Sequence, residues 1–145
     1  MKIFPLEKSD FSRLASVKDI DFTDAWNYDM LLSAFSTGNF FGFTVKEESK
    51  SEALSFITFS VSIDSIDIED VYTFSKYRKK GFAKMLINSV IDYAKEHNKL
   101  KIFLEVKKTN EKAIRLYQSL GFNLISERKK YYADGETALV MTREI

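Results

Sequence analysis

The stretch Lys76-Tyr77-Arg78-Lys79-Lys80-Gly81-Phe82-Ala83-Lys84 marks the change from one hydrophobic period to another. Downstream, Phe82, Met85, Leu86, Val90, Tyr93 and Ala94 recur at the 3.6-residue period of a long amphipathic helix. Upstream, residues 65–74 alternate as a strand, so the segment is a strand-to-helix turn. It carries five basic side chains and no acidic one. Free N–H groups at a helix start favour anions, and a glycine lets the backbone approach a ligand closely, so this turn is a candidate pyrophosphate site. The plain alternative is a solvated basic turn in which Gly81 only relieves a tight corner. Neither GxGxxG nor GxxxxGK[ST] is present, which sets the Rossmann and P-loop readings aside.

The strand before this turn has a second irregularity. Apolar residues stand at Ile66 and Ile68, and the pattern resumes at Val71 and Thr73, a slip of one position. An inserted residue at Glu69 or Asp70 produces such a slip, as a β-bulge does; two acids at a fraying edge are the alternative. Beyond the long helix, Leu100, Ile102, Leu104 and Val106 alternate as another strand, with Glu105 facing away from that stripe. A carboxylate on a central strand is costly unless it is paired, hydrated in a cleft or used as a base. A strand-end glutamate paired with a lysine satisfies the same pattern. Residues 110–120 read as a helix with Ala113, Ile114, Tyr117 and Leu120 on one face and Gly121 as its stop, so Tyr117 taken alone is a core aromatic.

The remaining elements follow from caps and turns. A short strand at Lys2–Leu6 precedes a helix opened by Ser9 or Asp10 and carrying Phe11, Leu14, Ala15 and Val17. A second helix, capped by Thr23, Asp24 or Asn27, carries Trp26, Met30, Leu31 and Phe35 and stops at Gly38. Strands at 39–46 and 53–62 flank Lys46–Glu52, a solvated hairpin loop. Two last strands flank Asp134-Gly135, a dipeptide suited to a tight hairpin turn. The order β-α-α-β-β-β-α-β-α-β-β implies an α/β domain with one mixed sheet covered by helices.

Composition excludes several function classes. With 145 residues, the chain reads as one domain over 1–145. Lys+Arg and Asp+Glu number 22 and 21, so no global field draws the protein to nucleic acid or to an anionic membrane. Without cysteine there is no thiol nucleophile or disulfide framework, which fits a reducing compartment. The one histidine, His97, reads as a solvated residue at a helix end, leaving little for a catalytic triad or a multi-histidine metal site. Only Ile3 to Leu6 separate Lys2 from Glu7 and Lys8, too short a core for a signal peptide, and no run is long enough to span a bilayer. The expectation is a cytoplasmic globule without a metal, with Lys107-Lys108 and Arg128-Lys129-Lys130 as solvated surface.

Taken together, these residues resemble the GNAT superfamily of acetyl-CoA-dependent N-acetyltransferases. Arg78-Lys79-Lys80-Gly81-Phe82-Ala83 matches its pyrophosphate motif [QR]-x-x-G-x-[GA]. Phe103–Asn110, Ala113–Phe122 and Lys130–Glu136 are similar to the protein N-terminal acetyltransferases, which include the ribosomal-protein-alanine enzymes. The resemblance implies a mostly antiparallel twisted sheet of about seven strands with about four helices. It also implies acetyl-CoA as co-substrate. Val71, Tyr72 and Thr73 then lie along the pantetheine, Lys79, Lys80, Gly81, Phe82, Ala83 and Lys84 wrap the pyrophosphate, and Arg78 and Asn110 touch the cofactor. Glu105 matches the family's proton acceptor and Tyr117 its proton donor, while Trp26, Tyr131 and Tyr132 match positions that line the peptide entrance.

The chain departs from the pattern at three places. Ala25-Trp26 stands where Pro-Trp is frequent, Arg78 where glutamine is frequent, and Glu69 where an apolar residue is usual. Other branches carry their catalytic glutamate on the strand of Glu69, so Glu69 is a second candidate base beside Glu105. The implied partner is a protein N-terminus, a ribosomal protein among the options, acetylated by a monomer or weak dimer. Acetylation of lysine or a small amine, and an acetyl-CoA-binding regulator without turnover, are the competing readings.

Overall fold

The computed structural model describes residues 1–17 and 26–145. Strand β1 (Lys2–Pro5) leads through a 3₁₀ turn at Lys8–Asp10 into α1 (Phe11–Ala15), and α2 spans Tyr28–Ser36. Three strands follow, β2 (Phe40–Lys46), β3 (Ser55–Val61) and β4 (Ser65–Thr73). Then come α3 (Phe82–Glu96), β5 (Lys101–Lys107), α4 (Glu111–Ser119), β6 (Asn123–Arg128) and β7 (Ala138–Glu144). The seven strands form one sheet in the order β1-β2-β3-β4-β5-β7-β6. Among the described residues, only β4 and β5 pair in parallel. The element order and the mostly antiparallel mixed sheet agree with the sequence expectation.

Side-chain alternation divides the apolar residues between the two faces. Ile57, Phe59, Ile66, Ile68, Ile102, Leu104 and Val106 pack with Phe82, Leu86, Ile87, Val90 and Ile91 of α3. Burying each such side chain contributes about 1.5–3 kcal/mol, so this layer is the main source of stability. A smaller core on the opposite face gathers Phe11, Leu14, Leu31, Phe56 and Tyr72 under α1 and α2. Tyr117 of α4 packs on the α3 side, whereas Glu105 alternates with Leu104 and Val106 and faces the α1/α2 side.

Several local expectations are corrected. Helix α1 is one short turn and a half, and Val17 is buried beyond its end. Trp26 precedes α2 rather than riding on it, because Asn27 caps the helix by accepting from the Met30 N–H at 2.8 Å. Met30 is 41% exposed, not part of the apolar face. Thr23, Asp24 and Ala25 lie outside the described residues. Leu100 precedes β5 and is exposed. Asp134-Gly135 does not make a two-residue hairpin: it forms a turn inside the loop 129–137, where the Gly135 N–H donates to the Tyr132 carbonyl at 2.9 Å.

Gly42 on β2 is a tight point. A Cβ there would lie 2.7 Å from the Ile57 carbonyl oxygen and 2.8 Å from Leu6 Cδ1. Gly42→Ala is therefore expected to destabilise the fold by about 1–3 kcal/mol, the usual cost of overpacking, read from the midpoint of denaturant unfolding.

Candidate active site

The ladder between β4 and β5 covers only Ser65, Ile66 and Asp67 against Lys101, Ile102 and Phe103. Beyond it the strands part, and a cleft of about 830 Å³ opens between them. The bulge falls immediately past this ladder. Thr58 of β3 pairs with Asp70 and Phe59 with Ile68, so Glu69 is the extra residue, in agreement with the slip in the alternation. The inserted residue lets Ile68 and Val71 both face the α3 core and turns Asp70 to the other side.

Val71, Tyr72, Thr73, Arg78, Glu69, Glu105, Asn110, Tyr117, Tyr131 and Tyr132 all line this cleft. Residues far apart in sequence thus meet at one opening. Tyr117 reaches it from the α3/α4 face and Glu105 from the α1/α2 face. Burial pushes the Tyr117 phenol up to about 12, with desolvation its cause. The ring is partly accessible from the cleft and rests against Phe122 at 6.1 Å between centroids. Asn110 caps α4 by accepting from the Ala113 N–H at 3.2 Å, a structural duty that fixes its side chain at the cleft edge.

The loop 129–137 covers one side of the opening. Lys107 Nζ lies 2.8 Å from Asp134 Oδ2, and Thr109 donates to Glu136 at 3.4 Å, pinning the loop to the end of β5. That places Tyr131 and Tyr132 over the opening, their rings 5.3 Å apart and near perpendicular. Arg128 Nη1 lies 3.3 Å from Glu105 Oε1, and desolvation together with the nearby Glu105 raises the Tyr131 phenol above its ordinary value. Glu105 therefore pairs with an arginine from β6, not with a lysine. Lys108 likewise meets Glu127 at 3.1 Å, so the basic clusters on β5 and β6 are partly engaged in pairs.

Carboxylates gather on this side of the opening. Desolvation first, then the charge of Glu105, raises the Asp67 carboxyl above its ordinary value. Desolvation also raises Glu69, opposed by a hydrogen bond from Ser60 and helped by Asp67, Asp70 and Glu105. Tyr132 is pushed up to about 12 by desolvation and by Glu105, Tyr131, Tyr117 and Asp134. Asp67, Asp70, Phe103 and Arg128 also line the cleft, although the sequence reading did not single them out for it. The slipped alternation was the one available signal for Asp70; Arg128 gave none, because its partner is 23 positions away.

Two phenols held near 12 carry a stability consequence. An unfolded tyrosine titrates near 10, so between about pH 10 and pH 12 the native state holds more protons than the unfolded chain. Stability is expected to be intact below pH 10 and to fall as pH rises through that window. Tyrosinate absorbance checks this: some of the seven tyrosines should ionise late and together with unfolding, and titration of all of them near 10 would contradict it.

Not every residue of the basic turn reaches the cleft. Arg78 lines it and donates from Nε to the Thr73 carbonyl at 2.8 Å, while Lys79, Lys80, Gly81, Phe82, Ala83 and Lys84 lie beside it at the start of α3. Phe82 is buried in the main core and presents only backbone there. Gly81 is the N-cap with φ 81°, offers no side-chain cap, and has open space where a Cβ would stand. The first turn of α3 thus keeps N–H groups directed outward beside several cations, a setting suited to a phosphate. Trp26 is the exception among the expected entrance residues: it lies outside the cleft lining, packed on Phe40 at 5.6 Å.

The profile of the Acetyltransferase (GNAT) family matches residues 2–122. The chain belongs to the GNAT acetyltransferase family. It is 29% identical over 136 residues to the [Ribosomal protein bS18]-alanine N-acetyltransferase of Salmonella typhimurium, a match covering 86% of this chain and 92% of that one. An N-alpha-acetyltransferase of Saccharolobus solfataricus is 37% identical over 79 residues, 54% of this chain and 47% of the relative, so this match spans about half of the archaeal protein. The crystal structure of the Escherichia coli ribosomal-protein-S18-alanine N-acetyltransferase superimposes with a TM-score of 0.87 at 26% identity, covering 99% of this chain and 93% of that one. This GNAT chain therefore keeps the fold of those enzymes across its length.

Proposed function

We propose that this GNAT protein transfers an acetyl group from acetyl-CoA to the α-amino group at the N-terminus of a protein. One observation carries the reading: the opening between β4 and β5, with Glu105 and Tyr117 facing it from opposite sides of the sheet. The cleft and the uncapped start of α3 fit acetyl-CoA, which supplies the thioester acetyl group when bound. Lys79 to Lys84 hold the pyrophosphate through backbone N–H groups and local charge, and Arg78 and the Val71–Thr73 edge hold the pantetheine arm.

Glu105 takes the proton that the attacking amine gives up, directly or through water. Tyr117, protonated throughout the neutral range because its phenol sits near 12, gives a proton to the departing thiolate. The backbone of Val71–Thr73 steadies the carbonyl oxygen as negative charge builds on it, a contribution of about 3–4 kcal/mol where such donors are preorganised. Transfer is direct, within a ternary complex.

Amine chemistry favours the N-terminus. With reference values of about 7.8 for an α-amine and 10.4 for lysine, roughly one α-amine in seven is neutral at pH 7 against roughly one lysine in 2,500. The relatives named for alanine N-acetylation support the same class, with a ribosomal protein as one candidate acceptor. The test is a peptide with a free N-terminal alanine and one internal lysine, incubated with the enzyme and acetyl-CoA and fragmented by mass spectrometry. Acetyl on the first residue is the expected result; acetyl on the lysine would move the protein to a different acceptor class.

A further inference from the structure

Asp70 is a carboxylate more than nine-tenths buried on a strand of the sheet, where ionised groups are costly unless fully bonded. Its Oδ2 accepts both the Trp26 indole N–H and the Thr58 hydroxyl, the latter at 2.9 Å. Trp26 lies immediately before α2, 44 positions away in sequence, and Asp70 adjoins the bulged Glu69. A second path joins the same places. The Trp26 ring packs on Phe40, Phe40 pairs in register with Ser60, and Ser60 donates to Glu69 at 3.0 Å. Trp26 is therefore linked to the bulge by two paths, its N–H directly through Asp70 and its ring indirectly through Phe40 and Ser60.

We infer that Trp26 and Asp70 are positioning residues for the acceptor: their part-buried hydrogen bond clamps the β4 bulge and so fixes the acceptor side of the cleft. The inference rests on the proposed transferase reading for its kinetic consequence but not for its structural one. Without the clamp, Glu69 and Asp70 lose their fixed orientation, while the basic turn and the start of α3 are untouched. The acetyl-CoA side shares β4 through Val71–Thr73 and the Arg78–Thr73 bond but has separate backbone support in Gly81 at the start of α3, so a loss concentrated on the acceptor is the signature of this role. A merely structural tryptophan would weaken both substrates together.

Trp26 is the protein's one tryptophan, so its indole N–H gives a single resonance in a ¹H–¹⁵N spectrum. In the wild type that proton is expected downfield of a water-exposed indole and slow to exchange; Asp70→Asn, which keeps an acceptor oxygen but removes the charge, should move it upfield and speed its exchange. An exposed, fast-exchanging indole in the wild type, or no change in Asp70→Asn, would overturn the clamp. Trp26→Phe keeps a ring against Phe40 and removes only the donor. It is expected to raise KM for an alanine-ended peptide about tenfold while leaving KM for acetyl-CoA within about twofold, a change of about 1.4 kcal/mol confined to the acceptor. Equal increases for both substrates, or none for the peptide, would overturn the positioning role. The spectrum needs no turnover, so a wild type inactive on peptides would count against the transferase reading while the indole resonance still judges the clamp.

Discussion

Glu105→Gln is expected to lower kcat by about 10²-fold, within the range for losing a positioned proton acceptor, with little change in KM for acetyl-CoA. The side chain stands on the wall of the cleft, tied to Arg128 at 3.3 Å, so its carboxylate is held over the opening instead of sweeping through solvent. Glutamine keeps the size and an oxygen for Arg128 and loses the negative charge together with the capacity to take a proton. Glu69→Gln is the necessary comparison. Glu69 is exposed on the bulge and bonded to Ser60, at the edge of the opening, and its replacement should cost no more than about threefold, well short of what a lost base costs. Steady-state rates of the two variants at one pH decide between them: the larger loss in Glu69→Gln would move the base to β4.

Tyr117→Phe is expected to reduce kcat at least about tenfold, the low end of what acid–base help supplies. Acetyl-CoA affinity should stay near its wild-type value, because the ring remains packed against Phe122 and only the hydroxyl is lost. The phenol near 12 also predicts the shape of the pH profile. The rate should climb with pH as the acceptor amine loses its proton and show no descending limb from this group below about pH 11, one unit under its own titration. A full rate in Tyr117→Phe would remove the residue from proton transfer and leave it as a wall of the cleft.

Local patterns made much of this architecture readable in advance. The slip between Ile68 and Val71 located the bulge because alternation on a buried strand leaves no slack: one extra residue must reverse the faces. Glu105 announced itself as a charge interrupting no stripe on a central strand, and the basic turn by its place between a strand and a helix. Asp134-Gly135 misled, since the dipeptide makes a turn equally well inside a longer loop, and what fixes the loop is the Lys107–Asp134 pair across the sheet. Trp26 misled for a related reason. Its distance from the cleft and its bond to Asp70 depend on how α2 lies over β2 and β4, a tertiary fact that no local spacing encodes. Arg128 is exposed, as expected of the basic cluster, but its pairing with Glu105 exists only once β6 is laid beside β7 and β5.

The cleft draws on both faces of the sheet, with Tyr117 reaching it from one and Glu105 from the other. Were β4 and β5 paired along their full length, Glu105 and Tyr117 would be separated by an unbroken ladder; their meeting depends on the strands parting after Asp67. The bulge at Glu69 and the end of the ladder at Asp67 sit next to each other in sequence.

The most direct test of the account is release of free CoA thiol from acetyl-CoA in the presence of short peptides that differ in their first residue, each assayed with its N-terminus free and blocked. Turnover with free termini that disappears on blocking is the predicted result, and it would rank the preferred first residues at the same time. Turnover that persists on blocked peptides through a lysine, or that appears only with small amines, would contradict the assignment of the α-amino group.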